Sequence, residues 1–254
     1  MVIDMPTSLF AAWGRLEQLR RRTTRAGAPW WMHNVSERLG ALIVLGLRGT
    51  SISPNTVTVF GLALYLPTAW YLGTRSSVGI GGVIALMLWW QLAFSMDCAD
   101  GMLARERGQA SAFGAWLDQL VDFGSHFLVF GSLGVFLVRA LALPADEAVM
   151  LVAFVLGANL LQVFASSQRV HIMGTAPALT NDRSVLAILA RGRQLSDYGA
   201  LLFTAALLVF APRALLVLLV VYGALCTLTV LGQVLINWPR AHRQPKEIGV
   251  EDHA

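Results

Sequence analysis

Long apolar runs limit this chain more than any other feature. They recur near residues 54–74, 78–98, 112–141, 148–168, 184–210 and 213–237. An α-helix rises 1.5 Å per residue, so about 20 apolar residues cross the ~30 Å hydrocarbon layer of a bilayer. Composition agrees: 56% of residues are hydrophobic and 13% charged, against about 25% charged in soluble domains. The expected fold is an all-α integral membrane bundle of six transmembrane helices. The fifth run is interrupted by Arg191, Arg193 and Asp197, which predicts a long helix with only its later part in lipid. Before the first run, VSERLGALIVLGLRG is too short to cross. It reads as an amphipathic interfacial helix, with Trp30 and Trp31 at headgroup level. Leu9, Phe10, Trp13 and Leu16 form a similar stripe at helical spacing. The expected divisions are a juxtamembrane segment over 1–52, the bundle over 53–238 and a tail over 239–254. No secretory signal is expected, because the first apolar patch, SLFAAW, is short and its arginines follow it.

Basic residues orient the bundle. With six spans, the two ends of the chain and the second and fourth connections share one side. That side receives every Lys and Arg except Arg75, Arg139 and Arg213, which is 16 of the 19. Both termini are therefore expected in the cytoplasm, with the protein in a membrane such as the bacterial inner membrane. The basic face would attract anionic lipid. No nucleic-acid partner is expected. Cys98 and Cys226 lie far apart in or beside apolar runs and read as small buried side chains.

Against this background DCADGMLARERGQASAFGAWLDQLVD stands out, because it places Asp97, Asp100, Asp118 and Asp122 between two apolar runs. Each carboxylate at mid-membrane costs ~2.5–3.5 kcal/mol, so four approach about 10 kcal/mol unless something offsets them. Asp97 and Asp100 share a face at the end of the second span, and Asp118 and Asp122 share one near the start of the third. Between them ARERGQAS is polar and offers Ser111 as a helix N-cap. Antiparallel packing would bring the two pairs together, where they repel unless cations intervene. Hard divalent ions take oxygen ligands, and magnesium commonly combines carboxylates with substrate phosphates. Two such ions can clamp the attacking and leaving oxygens of a phosphoryl transfer. Gly101, Ala104 and Gly114 leave room for a bulky group such as a nucleotide. A cation channel with an acidic site is the alternative from another class. The acids lie toward one end of their helices, whereas transporter sites sit near the midplane.

The string Asp97-x2-Asp100-Gly101-x2-Ala104-Arg105-x8-Gly114-x3-Asp118-x3-Asp122 resembles the signature of the CDP-alcohol phosphatidyltransferases. Pro54-Asn55-Thr56-Val57-Thr58 is similar to the PN-x-x-T element that opens the first span in many members. The resemblance covers roughly residues 50–240, most specifically at the aspartates. It implies a six-helix bundle, commonly homodimeric. The implied reaction moves a phosphatidyl group from CDP-diacylglycerol to an alcohol, releasing CMP. A CDP-choline or CDP-ethanolamine enzyme acting on diacylglycerol is the nearest alternative. By the same resemblance the four aspartates would hold two Mg²⁺ or Mn²⁺ ions, and Asp122 would also act as general base. Asn55, Thr58, Gly101, Ala104, Arg105, Ser111 and Gly114 would contact the donor. The fourth span carries a polar stripe of Asn159, Gln162, Ser166 and Arg169. Arg169 and Arg183 are the candidates for the acceptor, which they would suit if it is phosphorylated. The arginine that glycerophosphate-using members often carry after PN-x-x-T is absent, since VFGLALYLP follows here. His126, one turn beyond Asp122, reads as a buried packing residue.

Overall fold

The computed structural model describes residues 7–24, 28–173 and 197–241, and among them there are eight α-helices and no strand. In chain order these are α1 (Thr7–Thr23), α2 (Glu37–Leu47), α3 (Pro54–Gly73), α4 (Ile80–Glu106), α5 (Ala112–Leu141), α6 (Ala145–Met173), α7 (Tyr198–Leu208) and α8 (Pro212–Ala241). A π-helical turn, Met32–Ser36, leads into α2. The protein is an all-α membrane bundle. Among the described residues α3, α4, α5, α6 and α8 are long and apolar enough to span a bilayer.

Local sequence explains where the helices begin and turn. Ser53 accepts a hydrogen bond from the Thr56 amide at 3.1 Å, and Pro54 follows at the first helical position. Gly108 has φ +64°; this left-handed conformation suits glycine and lets the chain reverse after α4. Ser111 then caps α5, accepting from the Gly114 amide at 3.0 Å.

The fifth apolar run departs from expectation. A helix continuous through Asp197 does not form; α7 starts afresh at Tyr198. Asp197 has extended backbone and accepts from the Gly199 and Ala200 amides at 3.1 and 3.4 Å. Its carboxylate thus satisfies amides that an unbroken helix would have bonded itself. With 11 residues, α7 rises about 16 Å and cannot cross alone. Residues 184–196 lie outside the described residues.

The interior is apolar and tightly packed, centred on Trp90, Leu133, Phe136, Leu137, Leu202 and Leu215. Trp90 is fully buried and its indole N–H donates to Thr68 Oγ1 at 2.9 Å. Outward positions such as Trp70, Leu88 and Val217 are also apolar. Lipid offers little hydrophobic drive for helix association, so close packing must hold such a bundle together.

The N-terminal segment is docked on the bundle. A Cβ on Gly40 of α2 would stand 3.2 Å from the Ser95 carbonyl oxygen and 3.3 Å from the Ala99 amide nitrogen of α4. A side chain there would push the two helices apart by a few tenths of an ångström. Leu16 and Leu19 of α1 join Ala41, Val44, Val57, Ala99, Met102 and Leu103 in a second small core. Trp30 is exposed, as an interfacial residue would be. Trp31 turns inward instead: its amide donates to Asp197 Oδ2 at 2.6 Å and its indole to Gln91 Oε1 at 2.8 Å. A buried indole N–H needs such a partner, and Gln91 supplies it.

Candidate active site

The last turns of α4 and the first turns of α5 carry the aspartates to one place. Asp97, Asp100 and Asp118 each offer a carboxylate oxygen within 4.8 Å of the others. Asp122, one turn further along α5, lies outside that tight group but lines the same cavity. The cavity encloses about 510 Å³. Its walls hold six carboxylates (Glu37, Asp97, Asp100, Asp118, Asp122, Asp197) and, among the described residues, one guanidinium, that of Arg105. Glu37 and Asp197 are paired within the protein, so the excess of negative charge gathers at Asp97, Asp100, Asp118 and Asp122.

Asp100 makes the case most sharply. It is buried, and its Oδ1 accepts from the Gly101 amide. Its Oδ2 has no hydrogen-bond partner. The Thr58 hydroxyl of α3 stands close to Asp100 and donates to the Pro54 carbonyl at 3.1 Å. A buried carboxylate oxygen without a donor carries a large desolvation penalty. With two further carboxylates beside it, the donor set is all oxygen and suits a hard divalent cation. Arg105 lies beside the aspartates, whereas Arg107 is engaged elsewhere. Arg107 holds the carbonyls of Leu47, Thr50 and Ile52 at 2.5, 2.9 and 2.5 Å, pinning the α2–α3 loop.

A smaller cavity of about 80 Å³ adjoins the first. Asn55, Thr58, Gly101, Ala104, Arg105, Ser111 and Gly114 all line it, and Asp100, Gly101, Arg105 and Asp118 face both cavities. A Cβ on Gly114 would stand 3.2 Å from Ser111 Oγ and 3.3 Å from Asn55 Oδ1.

The opposite wall of the large cavity is neutral and hydrogen-bonded across helices. Asn159 Nδ2 donates to the Tyr222 hydroxyl at 2.9 Å, Gln119 Nε2 to Ser167 Oγ at 2.9 Å and Gln233 Nε2 to Ser166 Oγ at 3.2 Å. Asn159, Gln162 and Ser166 line the cavity together. Arg169 falls near the end of α6, and Arg183 lies outside the described residues. His126 is buried on this side and meets Tyr198 edge-on, with ring centroids 3.9 Å apart.

Sequence reasoning missed Glu37, Asp197, Tyr198 and Tyr222 as cavity residues. Asp197 did carry a signal, being an N-cap residue type just before an apolar helix. The others come from helices remote in sequence and have no local signature.

A membrane bundle with paired acidic turns beside a small polar cavity matches a known class. The family model for CDP-alcohol phosphatidyltransferase matches residues 51–232, and this chain belongs to that family. Among its relatives, a phosphatidylinositol phosphate synthase of Mycobacterium marinum is 32% identical over 106 residues, covering 42% of this chain and 43% of the relative. An uncharacterised protein of Aquifex aeolicus is 36% identical over 85 residues, covering 34% of this chain and 40% of the relative. The chain thus spans less than half the length of each of these two relatives.

Proposed function

We propose that this protein transfers a phosphatidyl group from CDP-diacylglycerol to the hydroxyl of an alcohol, releasing CMP. The observation that carries the reading is the convergence of Asp97, Asp100 and Asp118 at the junction of the two cavities. One cavity has the size and lining for part of a nucleotide donor; the other leaves room for an acceptor.

Asp97, Asp100, Asp118 and Asp122 would hold two Mg²⁺ or Mn²⁺ ions. When bound, such ions neutralise the carboxylates and the donor's diphosphate and lower the barrier to hydroxyl deprotonation. The chain's own groups do the rest. The smaller cavity binds the cytidine end, with Gly101, Ala104 and Gly114 keeping it open and Asn55, Thr58 and Ser111 offering polar contacts. Arg105 reaches the diphosphate, where its planar fork suits two phosphate oxygens. Asp122 takes the proton of the attacking hydroxyl. That oxygen forms a bond to the phosphorus bearing the diacylglycerol, and the bond from the same phosphorus to CMP breaks. CMP leaves with the bridging oxygen.

The name of the mycobacterial relative supports an inositol phosphate as the first acceptor to try. Arg169 and Arg183 would then meet the acceptor phosphate. The excess of basic residues on one side supports a cytoplasmic site and cytoplasmic termini in a bacterial inner membrane. A homodimer is proposed on family resemblance alone. The test is CMP release by the purified protein in detergent with CDP-diacylglycerol, magnesium and single alcohols in turn. One acceptor should drive release. Failure of every acceptor, with no binding of CDP-diacylglycerol, would overturn the reading.

A further inference from the structure

We propose that Arg20, in the segment before the family match, is a positioning residue for Arg105, acting through the Thr23 carbonyl. This inference rests on the donor site proposed above and adds to it a part that lies outside residues 51–232.

Arg105 Nε donates to the Thr23 carbonyl at 2.6 Å, a contact between residues 82 positions apart. The bond fixes the plane of the guanidinium. Its two Nη atoms lie over Gly101, 3.2 and 3.4 Å from where a Cβ there would be, and Arg105 faces both cavities. The bond at Nε orients the group while its two Nη atoms stay turned toward Gly101. An arginine held this way meets an anionic ligand with most of its rotamer entropy already lost.

The carbonyl is itself held by an unusually buried polar cluster. Arg20 is 7% exposed and Glu37 3%. Arg20 donates to Glu17 through Nη2 at 2.6 Å and Nε at 3.0 Å, and its Nη1 reaches the His33 ring at 3.0 Å and Glu37 Oε2 at 3.9 Å. The Thr24 hydroxyl donates to Glu37 Oε2 at 3.0 Å, and the Thr24 amide to the Arg20 carbonyl at 2.8 Å. The Thr23–Thr24 peptide, which contains the carbonyl seen by Arg105, is thus tied to the Arg20 backbone carbonyl by the Thr24 amide and to the Glu37 carboxylate by the Thr24 hydroxyl. Leu16 and Leu19 seat the same helix on Met102 and Leu103 of α4. Burying two charged side chains at the end of a short surface helix is costly unless they are paired. Here the Arg20 side chain bears on the peptide that aims Arg105 through Glu37, which faces the guanidinium and accepts from the Thr24 hydroxyl.

The test is a double-mutant cycle in the full-length protein in detergent, reading the affinity for CDP with magnesium by calorimetry. Arg105→Gln and Arg20→Gln should each weaken CDP about tenfold, the loss expected for one hydrogen bond to a charged group. Together they should still cost about tenfold, because Arg20 acts only through Arg105. In turnover, Arg20→Gln should raise the donor KM by the same factor and change kcat by less than about twofold. Losses that multiply to about a hundredfold, or an Arg20→Gln protein that binds CDP as the wild type does, overturn the inference while leaving the donor site standing. A wild type that does not bind CDP overturns both. Should Arg20→Gln fail to fold, Glu17→Gln, which loosens Arg20 from its more exposed side, replaces it in the cycle with the same pattern expected.

Discussion

The two walls of the large cavity are built from opposite kinds of polar chemistry. On the α4–α5 wall, carboxylates stand three and four residues apart along single helices, and Asp100 Oδ2 is left without a donor. On the α6–α8 wall, neutral amides and hydroxyls bond partners on other helices, at sequence separations of 48, 63 and 67 residues. The first wall gathers negative charge and suits a hard cation. The second is neutral and closes on itself in part, with Asn159 Oδ1 also left without a hydrogen-bond partner. In the reading proposed above, the clustered carboxylates serve the chemistry, and the neutral groups shape and hold a ligand.

Breaking the charged wall should have the largest effect. Asp122→Asn should fold, retain Mn²⁺ binding and lose turnover by roughly 10²–10⁴-fold, the range for removal of a general base; CMP release and Mn²⁺ titration measure the two. Wild-type rates in that protein would end the assignment. Chelation should abolish CMP release, and added magnesium or manganese should restore it. Activity in excess chelator would mean that the aspartates serve another purpose. On the neutral wall, Asn159→Leu should raise the acceptor KM by about tenfold with the donor KM unchanged, since one buried hydrogen-bonding group is lost. A shift in the donor KM instead would show that the two walls do not divide the substrates. Tyr222→Phe should cost about 1 kcal/mol of stability by removing the partner of Asn159 Nδ2, read by thermal unfolding in detergent.

The smallest effect concerns ion pairs that are satisfied without any ligand. The hydrogen bond from Arg20, against the opposing effect of burial and with help from Arg21, holds the Glu17 carboxyl down from 4.5 to about 2. A depressed carboxylate stabilises the fold above its ordinary value and loses that contribution as pH falls through the folded one. The docking of α1 should therefore be steady above about pH 4.5 and weaken toward pH 2. Hydrogen exchange of α1 amides should show this, equally with and without magnesium. Glu17→Gln should flatten the response.

These contrasts also explain what could be read in the sequence. Asp97, Asp100, Asp118 and Asp122 were legible because chemistry that needs them on one helical face fixes their spacing. Ser53 and Ser111 were equally local, since a cap bonds an amide three residues on. The neutral wall was legible only as a stripe on α6; Tyr222 and Gln119 answer it from helices that no local pattern relates to α6. Asp197 was read as lying within one long helix, but it caps the start of a new one. Glu37 and Arg20 lay beyond the motif, and their role depends on α1 folding back onto α4. Trp31 showed the same limit: an aromatic beside an interfacial helix fits the membrane surface until a distant Gln91 claims its indole.

The bond from the Trp31 amide to Asp197 also bears on the order in which the molecule can be completed. The two residues are 166 positions apart, and chains grow at about 5–20 residues per second. Some ten to thirty seconds of synthesis therefore separate the emergence of these two residues. During that time the first helices have the lipid surface and α4 to rest on, but not α7. Contacts of such long range form late. The Trp31 contact is thus among the last to be fixed, and a chain halted before α7 would contain all four aspartates without the finished wall beside them.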